Sequence, residues 1–183
     1  KVVRTDNGLA YSTDSAFSGG LQYPGTFEAF CQTKNATVVF AAQLMLDLIE
    51  GMRNGDVSQA DLDFAKTASV EGYPANFGSM AQTLRNFAQL ENYNRPRDYY
   101  EVWRAKYQKV TLADIKRVAR KWLQPDKMVI MVAGNIDECK AGADKMLPNQ
   151  ATIDAMAAKF GGRTIDGLAK KYGDGAVKII TLK

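Results

Sequence analysis

No histidine occurs among the 183 residues. That zero excludes every His-containing zinc motif, the Ser-His-Asp and Cys-His pairings, and a His general base on this chain. Cysteine is nearly as scarce. Cys31 and Cys139 lie far apart in sequence, cannot by themselves complete a thiolate zinc site, and make no disulfide framework. Long apolar runs are missing: the longest, residues 128–133 (MVIMVA), suits a buried strand and falls far short of a membrane span. A strong charge of either sign is absent too. The 24 Lys and Arg against 20 Asp and Glu leave a net charge of +4, which does not call for nucleic acid. The opening Lys1-Val2-Val3-Arg4-Thr5-Asp6 has no start Met and no signal-peptide pattern, and reads like the middle of a longer sequence. What remains open is the chemistry of Arg, Lys, Tyr, Ser and carboxylates, or a site completed by a partner.

The composition, 46% hydrophobic and 24% charged, is that of an ordinary folded protein with a proper core. The length fits one large domain, or one domain with an appendage. Leu9, Tyr11, Thr13, Ser15 and Phe17 alternate with Ala10, Ser12, Asp14 and Ala16 until Gly19-Gly20 breaks the run. Tyr23-Pro24-Gly25 makes a turn, and residues 26–33 (TFEAFCQT) a second strand, so a long hairpin is expected. From Ala36 to Met52 the polar residues are Thr37, Gln43, Asp47 and Glu50. The last three recur at helical spacing, which predicts one narrow wet stripe on an otherwise deeply packed helix.

Four more helices follow. Ser58 with Asp61 forms a capping-box start for the second. Phe77, Ala81, Leu84 and Ala88 mark the core face of a third, and Asn94 before Pro96 starts a fourth with Tyr99, Trp103 and Tyr107 on one side. Thr111 and Asp114 cap a fifth whose core face is Leu112, Ile115, Val118, Ala119 and Trp122. Residues 128–133 then form a strand. Strands near Tyr11, Phe27 and Val129 would share a sheet, and so short a sheet leaves an edge open to a second chain. Past Pro148 come a short helix with Ile153, Met156 and Phe160, and a final strand over residues 176–182 (AVKIITL). The expected architecture is α+β, an antiparallel sheet packed against a block of helices, with residues 1–147 as the main domain and 148–183 as a small αβ extension.

Most candidate sites have plainer readings. Lys116, Arg117, Arg120 and Lys121, with Arg104, Lys106 and Lys109, could bind phosphate, but lie opposite an apolar stripe as a solvated face would. Gly19-Gly20 and Gly161-Gly162 do not have dinucleotide or P-loop spacing and read as turn and helix cap. Tyr99, Tyr100, Trp103 and Tyr107 could line a cleft, yet aromatics at helical spacing usually form core. Asp61, Asp63 and Asp98 lack the paired spacing of acid/base work. Arg4 and Tyr11, seven positions apart, mean nothing by spacing alone, but their chemistry is suggestive. A guanidinium and a phenol can both donate hydrogen bonds to a carbonyl oxygen and to the oxyanion it becomes. Gly8 between them would let the backbone bend so that both side chains converge.

The string Arg4-Thr5-Asp6-Asn7-Gly8-Leu9-Ala10-Tyr11-Ser12 resembles the R-x-x-x-G-L-x-Y segment in the C-terminal domain of insulinase/pitrilysin-like zinc metallopeptidases. The resemblance continues in order. It runs through Pro24-Gly25-Thr26-Phe27, residues 58–66 (SQADLDFAK) and Glu71-Gly72-Tyr73-Pro74. It closes with Thr111 to Ile115, Val118 to Asp126 and Val129 to Gly134. It covers roughly residues 1–147, about four-fifths of the chain, and its weight lies in the order and spacing of the segments.

The resemblance implies an N-terminally truncated half-domain in which Arg4 and Tyr11 bind the substrate's backbone carbonyl and stabilise the oxyanion during peptide hydrolysis. The zinc, held by a His-x-x-Glu-His motif and a distal Glu, is expected in a companion N-terminal half or partner subunit. This chain itself is expected to hold neither metal nor cofactor. Thr5 departs from the acidic residue that many members carry there. The partners it implies are the zinc-bearing half and a peptide substrate; the open sheet edge adds a second copy of the chain, while the mild charge and short apolar runs call for neither nucleic acid nor a membrane span. The implied location is periplasmic, as for many bacterial relatives, and the isolated chain is expected to be inactive. Two other readings stand beside this one: a non-catalytic scaffold subunit of the same family, which would not need the Arg4 and Tyr11 pair, and a basic binding module using the face of Lys116 to Lys121.

Overall fold

The computed structural model describes residues 2–18, 23–141, 150–160 and 164–172. The expected Gly19-Gly20 turn, the Gly161-Gly162 cap and the strand at 176–182 lie outside the described residues. One π-helical turn, Val2–Asp6, precedes strands β1 (Ala10–Phe17) and β2 (Phe27–Thr33), which pair antiparallel as a hairpin. Helices α1 (Val38–Asn54), α2 (Gln59–Gly72), α3 (Met80–Asn92), α4 (Tyr99–Gln108) and α5 (Leu112–Trp122) come next, then α6 (Ile136–Ala141), α7 (Gln150–Phe160) and α8 (Ile165–Tyr172). The chain is α+β. It divides into two units, Lys1–Glu50 with Leu123–Lys183, and Gly51–Trp122.

In the first unit α1 is apolar nearly all round, and such a helix needs cover on every side. On one side Phe40 and Ala41 join Val3, Leu9, Ala10 and Ile153 of α7 in a buried cluster. On another, Val39 and Leu46 meet Leu168 of α8, with Met128 and Ile165 packed alongside. The tail helices therefore complete the packing of α1. The expected wet stripe does not form as predicted. Gln43 is 0% exposed, and its Nε2 donates to Asp47 Oδ1 at 2.7 Å. The Gln43 amide enters the core because Asp47, one turn on, offers it an acceptor. Asn35, just before α1, donates to Glu138 of α6 at 2.6 Å.

The expected third strand is not one. Among the described residues the sheet has two strands, and residues 128–133 pair with neither. Along the run Met128 and Val132 are half-buried, Ile130 is 40% exposed, and Val129 and Met131 are each 87% exposed. Its residues suit a strand, but no described strand pairs with them.

The second unit is helical. Ser58 Oγ accepts from the Asp61 N–H while Asp61 accepts from the Ser58 N–H, the reciprocal box expected at the start of α2. Asn94 does not start the fourth helix. It ends α3, with φ +48, its N–H on the Glu91 carbonyl and the next N–H, of Arg95, on the Leu90 carbonyl. That is a Schellman closure with Asn in the left-handed position. The expected core faces are only partly buried. Leu62, Leu90 and Ala119 are the buried hydrophobics among the unit's described residues, whereas Leu84, Phe87, Val118 and Trp122 stand exposed. Periodicity shows that a helix has an apolar face, not that something covers it.

Candidate functional site

Arg4 and Tyr11 sit on either side of a tight reversal, and three features of the chain between them set it. The N–H of Leu9 closes onto the Val3 carbonyl at 3.0 Å. Asn7 Nδ2 donates to the Val2 carbonyl at 2.8 Å. Gly8 has φ +61, a conformation costly for any side chain, and no atom lies within 4 Å of where a Cβ would stand. Gly8 is there for its backbone angle alone. Val3 and Leu9 point into the core and anchor the reversal, while Arg4 faces solvent.

Tyr11 owes its direction to a break in the hairpin. Ala10 pairs with Thr33 and Ser12 with Gln32, so Tyr11 is the extra residue of a β-bulge with no partner opposite. A bulge of this kind bends a strand and re-aims a side chain. Tyr11 is 82% exposed, and the Arg4 guanidinium carbon lies 5.9 Å from its ring centroid. The ladder disturbed by the bulge is repaired by a side chain: Thr33 Oγ1 donates to the Leu9 carbonyl and also bonds Thr37 Oγ1 at 2.7 Å. Neither the Arg4 guanidinium nor the Tyr11 hydroxyl is engaged in an intramolecular hydrogen bond among the described residues. Two donors of different chemistry thus stand side by side, exposed and available to an acceptor from outside.

The other candidates have structural work. Arg120 Nε donates to the Arg53 carbonyl at 3.1 Å, and the Lys116 stem lies against Gly55, whose φ is +95. Both cations close the carbonyl end of α1, where positive charge is favoured. Arg117 pairs with Asp114 at 3.2 Å. Asp114 also accepts from the Thr111 hydroxyl and N–H. Those bonds, the hydroxyl's first and then the backbone's and Arg117's, hold its carboxyl below the usual range. Asp61 caps α2, and Asp63 accepts from Gln59 at 2.8 Å.

The aromatic group is wider than the sequence pattern showed. Tyr73 stacks on Trp103 at 5.8 Å, Trp103 on Tyr107 at 5.1 Å, and Phe77 meets Tyr100 edge-on at 5.7 Å. Ser69 donates to the Tyr107 hydroxyl at 3.0 Å. Burial pushes the Tyr73 and Tyr100 phenols up, each helped by a neighbouring tyrosine. The rings pack on one another, but each is only half-buried and none belongs to a core cluster.

Cys139 is buried against Asn35, and burial raises its thiol pKa; burial raises that of Cys31 as well. Neither is primed as a nucleophile. Among the described residues no three His, Cys, Asp or Glu side chains gather as a metal site, and no helix is long and apolar enough to cross a membrane. The bulge at Tyr11 had no signal in the sequence beyond the neighbouring Asn7-Gly8 turn. No family model matches the chain, and no curated protein matches it significantly.

Proposed function

We propose that this chain is the non-zinc-binding domain of a zinc-dependent peptidase, and that Arg4 and Tyr11 bind the scissile carbonyl of a peptide and stabilise its oxyanion. The observation that carries the reading is the bulge that turns Tyr11 out of the hairpin to within 5.9 Å of the Arg4 guanidinium. A carbonyl oxygen placed between them would accept from the phenol O–H and from a guanidinium N–H. Both bonds would strengthen as negative charge grows on that oxygen, which is the condition for lowering the barrier. The chain's own donors do not fit a zinc ion, since it has no histidine and no described cluster of ligands. Zinc, and the activated water it supplies, therefore belongs in this reading to a companion N-terminal half or partner subunit, and a periplasmic location goes with it.

The test is to combine the chain with the zinc-bearing half encoded upstream or by a neighbouring gene, and to follow cleavage of a peptide library. Cleavage is expected only when both parts are present, and is lost on chelation. A reconstituted pair that binds but cleaves nothing would leave the chain a scaffold subunit.

A further inference from the structure

The tail helix α7 lies outside the segment that carries the resemblance, yet it packs on the loop that bears Arg4. Ile153 shares one buried cluster with Val3 and Leu9, the two core anchors of the reversal, and Met156 and Ala157 pack against the same cluster. Further along the helix, Lys159 Nζ donates to Asn7 Oδ1. The other end of the same amide, Asn7 Nδ2, donates to the Val2 carbonyl at 2.8 Å. The Asn7 side chain is thus held at both ends, by a cation at its oxygen and a carbonyl at its nitrogen.

The two bonds reinforce each other. A positive charge at the amide oxygen draws electron density from the nitrogen and strengthens the hydrogen bond that its N–H makes. It also decides which end of the amide faces the loop, since an ammonium group can only donate. The Val2 carbonyl opens the π-helical turn Val2–Asp6, from which the Arg4 side chain projects. A chain of contacts therefore runs from Lys159 through Asn7 to the backbone that aims the guanidinium. Lys159 is exposed, so its removal leaves neither a cavity nor a buried charge.

We propose that Lys159 is a positioning residue for the Arg4 and Tyr11 pair, acting through Asn7, and that α7 is the buttress of that site. The proposal rests on the reading of the pair given above, but its structural half can be observed without turnover. Lys159→Ala and Lys159→Arg would be made in the full chain. The first readout is NMR of the Asn7 side-chain amide and the Arg4 Nε–H. Lys159→Ala should move both signals while the thermal midpoint falls by less than about 2 °C, and Lys159→Arg should restore them. In the complex with the zinc-bearing half, Lys159→Ala should lower kcat by about tenfold, with KM held within about twofold.

Unmoved Asn7 and Arg4 signals in Lys159→Ala would overturn the proposal. So would a large fall in the midpoint that Arg fails to rescue, which would mark Lys159 as structural only. If Tyr11→Phe leaves turnover intact while Lys159→Ala still shifts the Arg4 signal, the functional reading fails and the coupling through Asn7 stands.

Discussion

The guanidinium carbon of Arg4 lies 5.9 Å from the centroid of the Tyr11 ring, although seven positions separate the two in sequence. A left-handed glycine and a β-bulge are both needed to bring this about. Their polar ends point outward and are engaged with nothing else described.

If both donors serve an oxyanion, removing one has a known scale. Tyr11→Phe takes away a single O–H at a residue that is 82% exposed, so the fold should not notice. Loss of one such donor costs about 2.7–4 kcal/mol of transition-state stabilisation. Peptide turnover by the reconstituted pair should fall by about two to three orders of magnitude with KM little changed. Full activity in Tyr11→Phe would sink the assignment.

Gly8→Ala tests the loop rather than the chemistry. A Cβ there meets no atom within 4 Å, so the cost is backbone strain alone. An L-residue in the left-handed region loses roughly 1–2 kcal/mol, and Asn loses less. Denaturant unfolding should show Gly8→Ala destabilised by about that amount, and Gly8→Asn closer to the parent. Equal stability of the parent and the Ala variant would mean that the loop does not hold φ +61 in solution.

Acid should loosen the start of α5. The Asp114 carboxyl is held below its usual range chiefly by the Thr111 hydroxyl, then by the Thr111 N–H and Arg117. A carboxyl depressed in the folded state stabilises above its unfolded pKa, and that contribution fades as pH falls through the folded value. Thr111→Ala removes the largest cause. The gap in thermal midpoint between parent and variant should be widest near neutral pH and narrow as acid protonates Asp114, down to the part owed to the lost bond from the Asp114 N–H to the Thr111 hydroxyl. A gap that does not narrow in acid would mean that the Asp114 charge contributes nothing.

Val129 and Met131 expose two large apolar side chains on a segment with no described strand beside it. Such an edge pairs with what it meets, and a charged residue blunts it. The isolated chain should sediment as a concentration-dependent oligomer, and Val129→Lys with Met131→Lys should shift it to monomer. A parent chain that stays monomeric at high concentration would refute the edge argument.

Local signals in the sequence carried far. The hairpin, the boxes at Ser58 and Thr111, and helices α1 to α5 rest on patterns that operate within a few residues, and a chain expresses these before it folds. The misread Asn94 shows where such signals are ambiguous. The same residue type caps a helix start or, in the left-handed conformation, closes a helix end, and Pro96 favoured the wrong choice. Residues 128–133 have the composition of a strand, but a strand also needs a neighbour, and composition names none. The exposed faces of Leu84 and Phe87 on α3 carry the same lesson.

The sequence by itself determined the absence of imidazole side chains and the α+β class, since residue types and short-range spacing are enough for those. Spacing alone said nothing of Arg4 and Tyr11, which only the family resemblance singled out. Only the tertiary structure decided that Tyr11 falls on a bulge, that it meets Arg4, and that Lys159 reaches Asn7 across 152 positions of sequence. Those relations depend on which register two strands adopt and which side of α1 a distant helix covers. Both choices are made by the packing of the whole unit, and no local pattern encodes them.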